Sequence, residues 1–148
     1  MYKIILCGTD GSETAEKALG AAARLSLHLS AELHVIHVPK PDSVYTATDA
    51  MAGIGMVSVF PNEEEVKAAT DRIFADAQGI VQAAGAEIAE THVRRGDPGG
   101  AVAETAKEIG ADLVVLGRRG LGSFAGLMVG STTQRAQHLC HCAVLTVP

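Results

Sequence analysis

Glycine, arginine and hydroxyl residues cluster in two short segments late in the chain. Gly117-Arg-Arg-Gly120 is followed, after nine residues, by Gly130-Ser-Thr-Thr133. Glycines let backbone N–H groups approach an oxyanion closely, and a helix beginning at the second segment would add unpaired N–H donors. Arginines and hydroxyls supply positive charge and further hydrogen bonds. The pattern predicts a phosphate-binding loop, although a surface loop in which Ser131 only caps a helix fits the spacing equally well.

The charge distribution favours an anion site in the same region. The chain of 148 residues has a net charge of -5, yet no Asp or Glu follows Asp112, and Arg118, Arg119 and Arg135 give that tail a charge of +3. A carboxylate there would repel phosphate. The overall negative charge argues against a nucleic-acid binder, whose affinity would depend on neutralising many phosphates.

Two common phosphate-binding motifs are absent from the sequence. A P-loop requires GxxxxGK[ST], and a dinucleotide fingerprint requires GxGxxG after the first strand. The chain has Gly8-Thr-Asp-Gly-Ser-Glu13 at that place. ATP hydrolysis of the P-loop type is therefore excluded.

The elements that must position these residues alternate along the chain. Short apolar runs predict strands at residues 2–9, 32–38, 86–95, 112–117 and 143–147. Apolar residues at helical spacing, with capping residues, predict helices at 12–29, 62–84, 97–110 and 131–139. This alternation implies an α/β fold with a parallel sheet and right-handed crossovers. Ligands of such sheets bind outside the carboxyl ends of the strands, where Thr9-Asp10 and Gly117 fall.

The long connection between residues 39 and 62 has no periodic pattern. Loops of this length are usually either functional or disordered. Met51 and Met56 in this segment are candidates to cover a bound base or to contact a partner. The sequence leaves both alternatives open.

Several polar residues have a structural explanation beside the functional one. Asp10, which precedes a glycine, is either a ligand-binding residue or a turn residue that bonds its own backbone. His138, Cys140, His141 and Cys142 are too closely spaced across a helix end and a strand to converge on one metal ion. Reduced thiols and surface imidazoles are the expected alternative. His34 and His37 point to opposite faces of the second strand by parity, which argues against a joint site.

The glycine spacing resembles the signature of ATP-binding universal stress proteins, which is Gly, two residues, Gly, nine residues, Gly and Ser/Thr. Gly117, Gly120, Gly130 and Ser131 match it. Five further segments look like the same family: IILCGTDGS (4–12), LHVIHV (33–38), GDP (96–98), ADLVVLGRRG (111–120) and HLCHCAVLTV (138–147). The resemblance implies one domain over residues 1–148, doubly wound like the adenine nucleotide alpha hydrolases, with a five-stranded parallel sheet of order 3-2-1-4-5 and four helices. It also implies an adenine nucleotide between the first and fourth strands, and a homodimer formed through the last strand, 143–147.

The resemblance also implies roles for individual residues. Asp10 would meet the ribose, and Gly8, Thr9 and Val38 would line the adenine pocket. The remaining nucleotide-binding residues would be Leu116, Gly117, Arg118, Arg119, Gly120, Leu121, Gly122, Ser123, Gly130, Ser131, Thr132 and Thr133. Gly8 departs from the family, in which proline is frequent at this place, and His141-Cys142-Ala143 replaces the usual Pro-Cys-Pro.

These features together predict a cytoplasmic, ATP-binding stress-response protein, with AMP or ADP as alternative ligands and Mg²⁺ held through the phosphates. No membrane span is expected, since no apolar run is long enough, and a regulatory protein partner fits the family. Only Asp10 or the distant Asp97 could serve as a general base, which favours binding, with slow hydrolysis or autophosphorylation at Ser131 or Thr132, over fast catalysis.

Two other functions fit the sequence less well than nucleotide binding. An ATP pyrophosphatase-like or adenylate-forming enzyme would need an SGGxDS-type loop after the first strand, which Gly8-Thr-Asp-Gly-Ser12 matches poorly. A nucleotide-free dimeric adaptor would normally have a degraded glycine loop, whereas this loop is intact.

Overall fold

Five parallel strands form one sheet in the order β3-β2-β1-β4-β5. The computed structural model describes residues 1–39, 62–119 and 129–148. Within these ranges the elements are β1 (Ile4–Gly8), α1 (Glu13–Leu29), β2 (Glu32–His37), α2 (Glu63–Ala83), β3 (Glu90–Val93), α3 (Pro98–Ile109), β4 (Leu113–Gly117), α4 (Ser131–Leu139) and β5 (Ala143–Val147). The predicted α/β class, strand order and helix number are confirmed.

The helix ends follow local capping chemistry. Asn62 and Glu65 form a reciprocal capping box at the start of α2, as the sequence predicts. α3 starts with an Asp97 cap and Pro98, and it ends at Gly110, whose φ of 67° is in the left-handed region. α4 differs from these helices, because its N-cap is Gly130 and no side chain caps it. The alternative in which Ser131 is the cap is therefore wrong.

Two apolar layers hold the helices against the sheet. Alternate strand residues point to opposite faces, so Ile5 and Val115 pack with α1 and α2, whereas Leu6 and Val114 pack on the other side with Val102 of α3. β4 is buried on both faces from Leu113 to Leu116, as its uniform apolar sequence predicts. The alanine-rich α1 contributes residues that are fully buried, among them Ala18, Ala22 and Ala23. Their small side chains let α1 approach the sheet closely.

The third strand is shorter than the sequence predicts. β3 pairs with β2 only from His34↔Glu90 to His37↔Val93. Ahead of this ladder, the Ala89 N–H donates to the Leu33 carbonyl oxygen at 2.8 Å. Residues 86–89 therefore connect α2 to the sheet, and their apolar character comes from packing, since Ala86 is buried and Ile88 packs on the α1–α2 side.

All three cysteines are free thiols. Complete burial raises the pKa of Cys7 to about 12. Cys140 and Cys142 are half-buried, and partial burial raises the pKa of Cys140 to about 11. None of the three has the lowered pKa of a reactive thiolate.

Among the described residues, no helix is both long enough and apolar enough to cross a bilayer.

Candidate functional site

A pocket lies over the carboxyl ends of β1 and β4, the two neighbouring strands at which the strand order reverses. Its volume is about 90 Å³, several times the space that one water molecule needs. The pocket is lined by Gly8, Thr9, Asp10, Ala15, Ile36, Val38, Pro98, Val102, Leu116, Gly117, Arg119, Gly130, Ser131, Thr132 and Thr133. Open parallel sheets bind ligands at this topological position.

Two glycines allow the elements around the pocket to approach one another closely. A Cβ on Gly8 would lie 2.5 Å from Cδ2 of Leu116. A Cβ on Gly117 would lie 2.8 Å from the carbonyl carbon of Thr14. A larger residue at Gly117 would push α1 from β4, because the atoms it meets belong to the Thr14 backbone, whereas a Cβ at Gly8 would require the end of the Leu116 side chain to move.

The first turn of α4 faces the pocket. The Gly130 N–H donates to the Arg118 carbonyl oxygen at 2.8 Å, and the Thr133 hydroxyl donates to the Gly117 carbonyl oxygen at 2.8 Å. These two bonds fix the start of α4 against the end of β4. Because the N-cap Gly130 has no side chain and no other described residue caps α4, the first N–H groups and the positive dipole end of this helix suit an anion.

Two adjacent arginines have different environments. Arg119 lines the pocket, and its Nε is buried without a hydrogen-bond partner in the described part of the chain. Its carbonyl oxygen accepts a hydrogen bond from the Thr14 hydroxyl, which holds the backbone in place. Arg118 is exposed and is not among the lining residues, and its N–H donates to the Val147 carbonyl oxygen at 2.7 Å. A buried guanidinium nitrogen without an acceptor is costly, and no described residue supplies an acceptor to Arg119 Nε.

Asp10 has the turn-forming role that the sequence allows, and its role in ligand binding stays a prediction. Its Oδ1 accepts a hydrogen bond from the Ser12 N–H at 3.0 Å, which is the turn-forming role, and the residue also lines the pocket. The neighbouring Thr9 is fixed through its backbone. Its N–H donates to the Ile36 carbonyl oxygen at 2.9 Å, and its own carbonyl oxygen accepts a hydrogen bond from His37 Nδ1 at 2.8 Å.

Asp97 is occupied at the start of α3. Its Oδ2 accepts a hydrogen bond from the Gly100 N–H at 2.7 Å and forms an ion pair with Arg135 Nε at 2.6 Å. Asp97 is not a lining residue, so Asp10 is the only carboxylate among the described residues that line the pocket. The pocket therefore offers one carboxylate, one guanidinium and an uncapped helix start.

The structure brings most of the predicted site residues together. Gly8 to Asp10, Val38, Leu116, Gly117, Arg119 and Gly130 to Thr133 line one pocket, and their ligand roles stay predictions. Arg118 does not line it. Gly120, Leu121, Gly122, Ser123, Met51 and Met56 lie outside the described residues.

Four lining residues were not predicted: Ala15, Ile36, Pro98 and Val102. Ile36 shares a parity with Val38 on the second strand, which is a signal that could have found it. Pro98 and Val102 come from α3, and only the packing of α3 over β1 brings them to the pocket.

The fold and pocket together define a class of protein: a doubly wound parallel α/β protein with a pocket where the strand order reverses. Comparison with known proteins then identifies the family. The family model described as universal stress protein family matches residues 1–148. The chain belongs to the universal stress protein family.

Individual relatives cover nearly the whole chain. Universal stress protein YxiE of Bacillus subtilis is 34% identical over 150 residues, which covers 99% of both chains. Universal stress protein Sll1388 of Synechocystis sp. is also 34% identical, over 99% of this chain and 97% of its own length.

Solved structures have the same fold. A universal stress protein crystallised in complex with cAMP is 27% identical, with a TM-score of 0.72 over 99% of this chain and 96% of its own. A universal stress protein from Archaeoglobus fulgidus in complex with dAMP is 19% identical, with a TM-score of 0.69 over 100% and 98% of the two chains. The second similarity supports the fold alone.

Proposed function

We propose that this chain is one universal stress protein domain that binds ATP in the pocket between β1 and β4 and acts as a cytoplasmic regulatory protein. One observation carries the proposal: the pocket is lined both by Arg119, whose Nε has no hydrogen-bond partner among the described residues, and by the start of α4, whose N-cap Gly130 has no side chain. A phosphate group would supply acceptors to both. The relative that was crystallised with cAMP supports an adenine nucleotide as the ligand class.

The lining separates into an apolar part and a polar part. Ile36, Val38, Val102 and Leu116 offer an apolar surface that suits a purine base. Arg119 and residues 130–133 offer the donors that suit phosphates. Asp10, next to Thr9 at the end of β1, has a carboxylate that can accept hydrogen bonds from ribose hydroxyls.

Magnesium fits this site only as a companion of the phosphates. Asp10 is the sole carboxylate among the described lining residues, and Mg²⁺ is usually held by one or two carboxylates together with phosphates and water. When bound, the ion would neutralise phosphate charge. The Ser131 and Thr132 hydroxyls are the nearby protein oxygens that could contact it or receive a phosphoryl group.

The same scarcity of carboxylates predicts slow chemistry. Asp10 already accepts a hydrogen bond from the Ser12 N–H, and Asp97 is paired with Arg135. Neither is placed as a dedicated general base. Turnover of ATP at ordinary kinase rates, about 1–100 per second, would contradict a binding role.

The identity of the ligand can be tested on the purified protein. We expect that heat denaturation releases an adenine nucleotide in near-stoichiometric amount, identified by its mass, with ATP more abundant than AMP, ADP or cAMP. A protein that releases no nucleotide, and that also fails to bind ATP on titration, would support the adaptor function instead.

We also propose a homodimer that forms through β5. This strand lies at the edge of the sheet and pairs only with β4 among the described strands, and Leu145 on it is 39% exposed. Edge strands with free backbone groups and exposed apolar side chains pair readily with a second copy.

We expect a solution mass of twice the 15.3 kDa chain mass, and a monomer for Leu145→Arg, because two guanidinium groups would be forced together. Leu27→Arg is the matched control, since Leu27 is 47% exposed on α1. Light scattering measures both masses. A monomeric wild type, or a Leu145→Arg variant that remains dimeric, would contradict this interface.

A further inference from the structure

Two copies of the same three-residue pattern lie side by side at the other edge of the sheet. Glu32-Leu-His34 belongs to β2, and Glu90-Thr-His92 belongs to β3. His34 is the register partner of Glu90, and side chains two residues apart on a strand share a face. All four polar side chains therefore project from one face of the sheet, the same face from which Leu6 of β1, the register partner of His34, projects.

The ligand atoms of three of these residues converge. His34 Nδ1 lies 3.0 Å from His92 Nε2 and 3.9 Å from Glu90 Oε2. One ligand atom from each of the three residues lies within 4.8 Å of the others, and no other group of three such residues does so in the described parts of the chain. Two atoms bound tetrahedrally to one zinc ion lie about 3.4 Å apart. The two separations from His34 Nδ1 bracket that value, and the His92–Glu90 separation is at most 4.8 Å, so a movement of the exposed Glu90 carboxylate toward the imidazoles would complete the geometry.

The fourth residue, Glu32, lies near the other ring nitrogen of His34. Glu32 Oε2 lies 3.6 Å from His34 Nε2. His34 is only 7% exposed, and its Nε2 has no hydrogen-bond partner among the described residues. A small movement of the exposed Glu32 side chain would let Nε2–H donate to the carboxylate, which leaves the Nδ1 lone pair free for a metal ion. Metal-bound histidines usually have such a carboxylate on the second ring nitrogen.

Burial differs between the two kinds of ligand in a way that suits a metal site. The imidazoles of His34 and His92 are covered, with residue exposures of 7% and 6%. The Glu32 and Glu90 side chains are 69% and 63% exposed, so they can move and they leave an entry path from solvent. Three acids, Glu32, Glu90 and Glu108, lie near the two imidazoles, and the nearby Arg94 is paired with Glu108 at 2.9 Å. A divalent cation would reduce this excess of negative charge.

We propose that His34 Nδ1, His92 Nε2 and a carboxylate oxygen of Glu90 bind one Zn²⁺ ion at the β2–β3 edge, with Glu32 as the residue that positions His34. Two imidazoles and one carboxylate are a donor set that zinc accepts, and the fourth position is open to water. None of the four residues lines the nucleotide pocket. The site is therefore separate from the proposed nucleotide function and does not depend on it.

The alternative to a bound metal ion is a direct hydrogen bond between the two imidazole rings. The two imidazole rings are nearly parallel, at 9°, with centroids 5.3 Å apart and nitrogens 3.0 Å apart. This geometry fits an N–H···N bond between them. Zinc binding requires His92 to carry its hydrogen on Nδ1, so the metal ion replaces that hydrogen bond. A titration can distinguish the two states.

The test uses the full chain with Cys140→Ser and Cys142→Ser, since these half-buried thiols could bind zinc on their own. After treatment with EDTA, Zn²⁺ is titrated in competition with a chromophoric chelator, and Co²⁺ is titrated with its visible absorption as a second readout. We expect one equivalent of bound metal. Glu90→Gln should lower the affinity at least tenfold, His92→Gln should lower it further, and Glu32→Gln should lower it about tenfold.

Two variants outside the proposed zinc site serve as controls. Glu87→Gln alters an exposed acid just ahead of β3, and His138→Gln alters an exposed imidazole of α4. Both should bind zinc like the parent. Glu90 is exposed, so its variant tests the site even if His92→Gln does not fold. The proposal is overturned if the parent binds no metal, or if Glu90→Gln and Glu32→Gln bind as tightly as Glu87→Gln.

Discussion

Replacing Gly130 with valine is expected to lower the affinity for ATP by about 100-fold or more, with the fold retained. Gly130 is buried in the pocket lining at the start of α4, where it is the N-cap with φ of -68° and ψ of 153°. Every residue type can adopt these angles, so valine fits the backbone. Its side chain would occupy the cradle and keep phosphate from the first N–H groups of α4. Loss of two charge-assisted hydrogen bonds, at about 1.5–3 kcal/mol each, accounts for the expected change.

Calorimetric titration with ATP measures this effect, and thermal unfolding checks the fold of the variant. Gly79→Val is the matched control, because a Cβ at Gly79 on α2 meets no atom within 4 Å. It should bind ATP like the wild type. A Gly130→Val protein that is folded and binds ATP within threefold of the wild type would show that the phosphates lie elsewhere.

Replacing Arg119 with methionine is expected to weaken the binding of the phosphates without weakening the binding of the base. Arg119 lines the pocket, and its buried Nε has no hydrogen-bond partner among the described residues. A hydrogen bond from this group to a phosphate oxygen contributes about 1.5–3 kcal/mol. The variant should therefore bind ATP about 10–100-fold more weakly, whereas its affinity for adenosine should change little, since adenosine has no phosphate.

The adjacent Arg118 provides the control for this variant. It is exposed and does not line the pocket. Arg118→Met removes the same charge from the neighbouring position, so it should lower ATP affinity far less. Titrations with ATP and adenosine on both variants give the comparison. Equal losses for the two variants would mean that only long-range charge matters, and an equal loss for adenosine would mean that Arg119 contacts the base or ribose.

The sequence predicts the fold well because its signals are local. Asn62 with Glu65, Asp97 with Pro98, and Gly110 determine helix ends through short-range capping. The strand order and the pocket residues, by contrast, came from the resemblance to a family. The glycine-rich motif and the acid-free tail predict an anion site without giving its shape.

What could not be predicted depends on contacts between distant segments. The difference between Arg118 and Arg119 arises from the pairing of β4 with β5 and from the Thr14 contact. The close approach at Gly117 arises from the backbone of Thr14 on α1. The His34–His92 pair depends on the register of β2 and β3, which no residue pattern fixes in advance. Parity correctly separates His34 from His37, which instead packs edge-on against Phe74 of α2, but parity alone does not show that His34 meets His92.

The most direct test of the proposed nucleotide site is to map ATP binding on the backbone amides of the ¹⁵N-labelled protein by NMR. We expect the largest chemical-shift changes at the β1 and β4 ends and at the start of α4, on Thr9, Arg119, Gly130, Ser131 and Thr132. The amides of β3 and β5 should shift little. Changes concentrated on Glu90–Val93 or Ala143–Val147, with none at the start of α4, would contradict the proposed site.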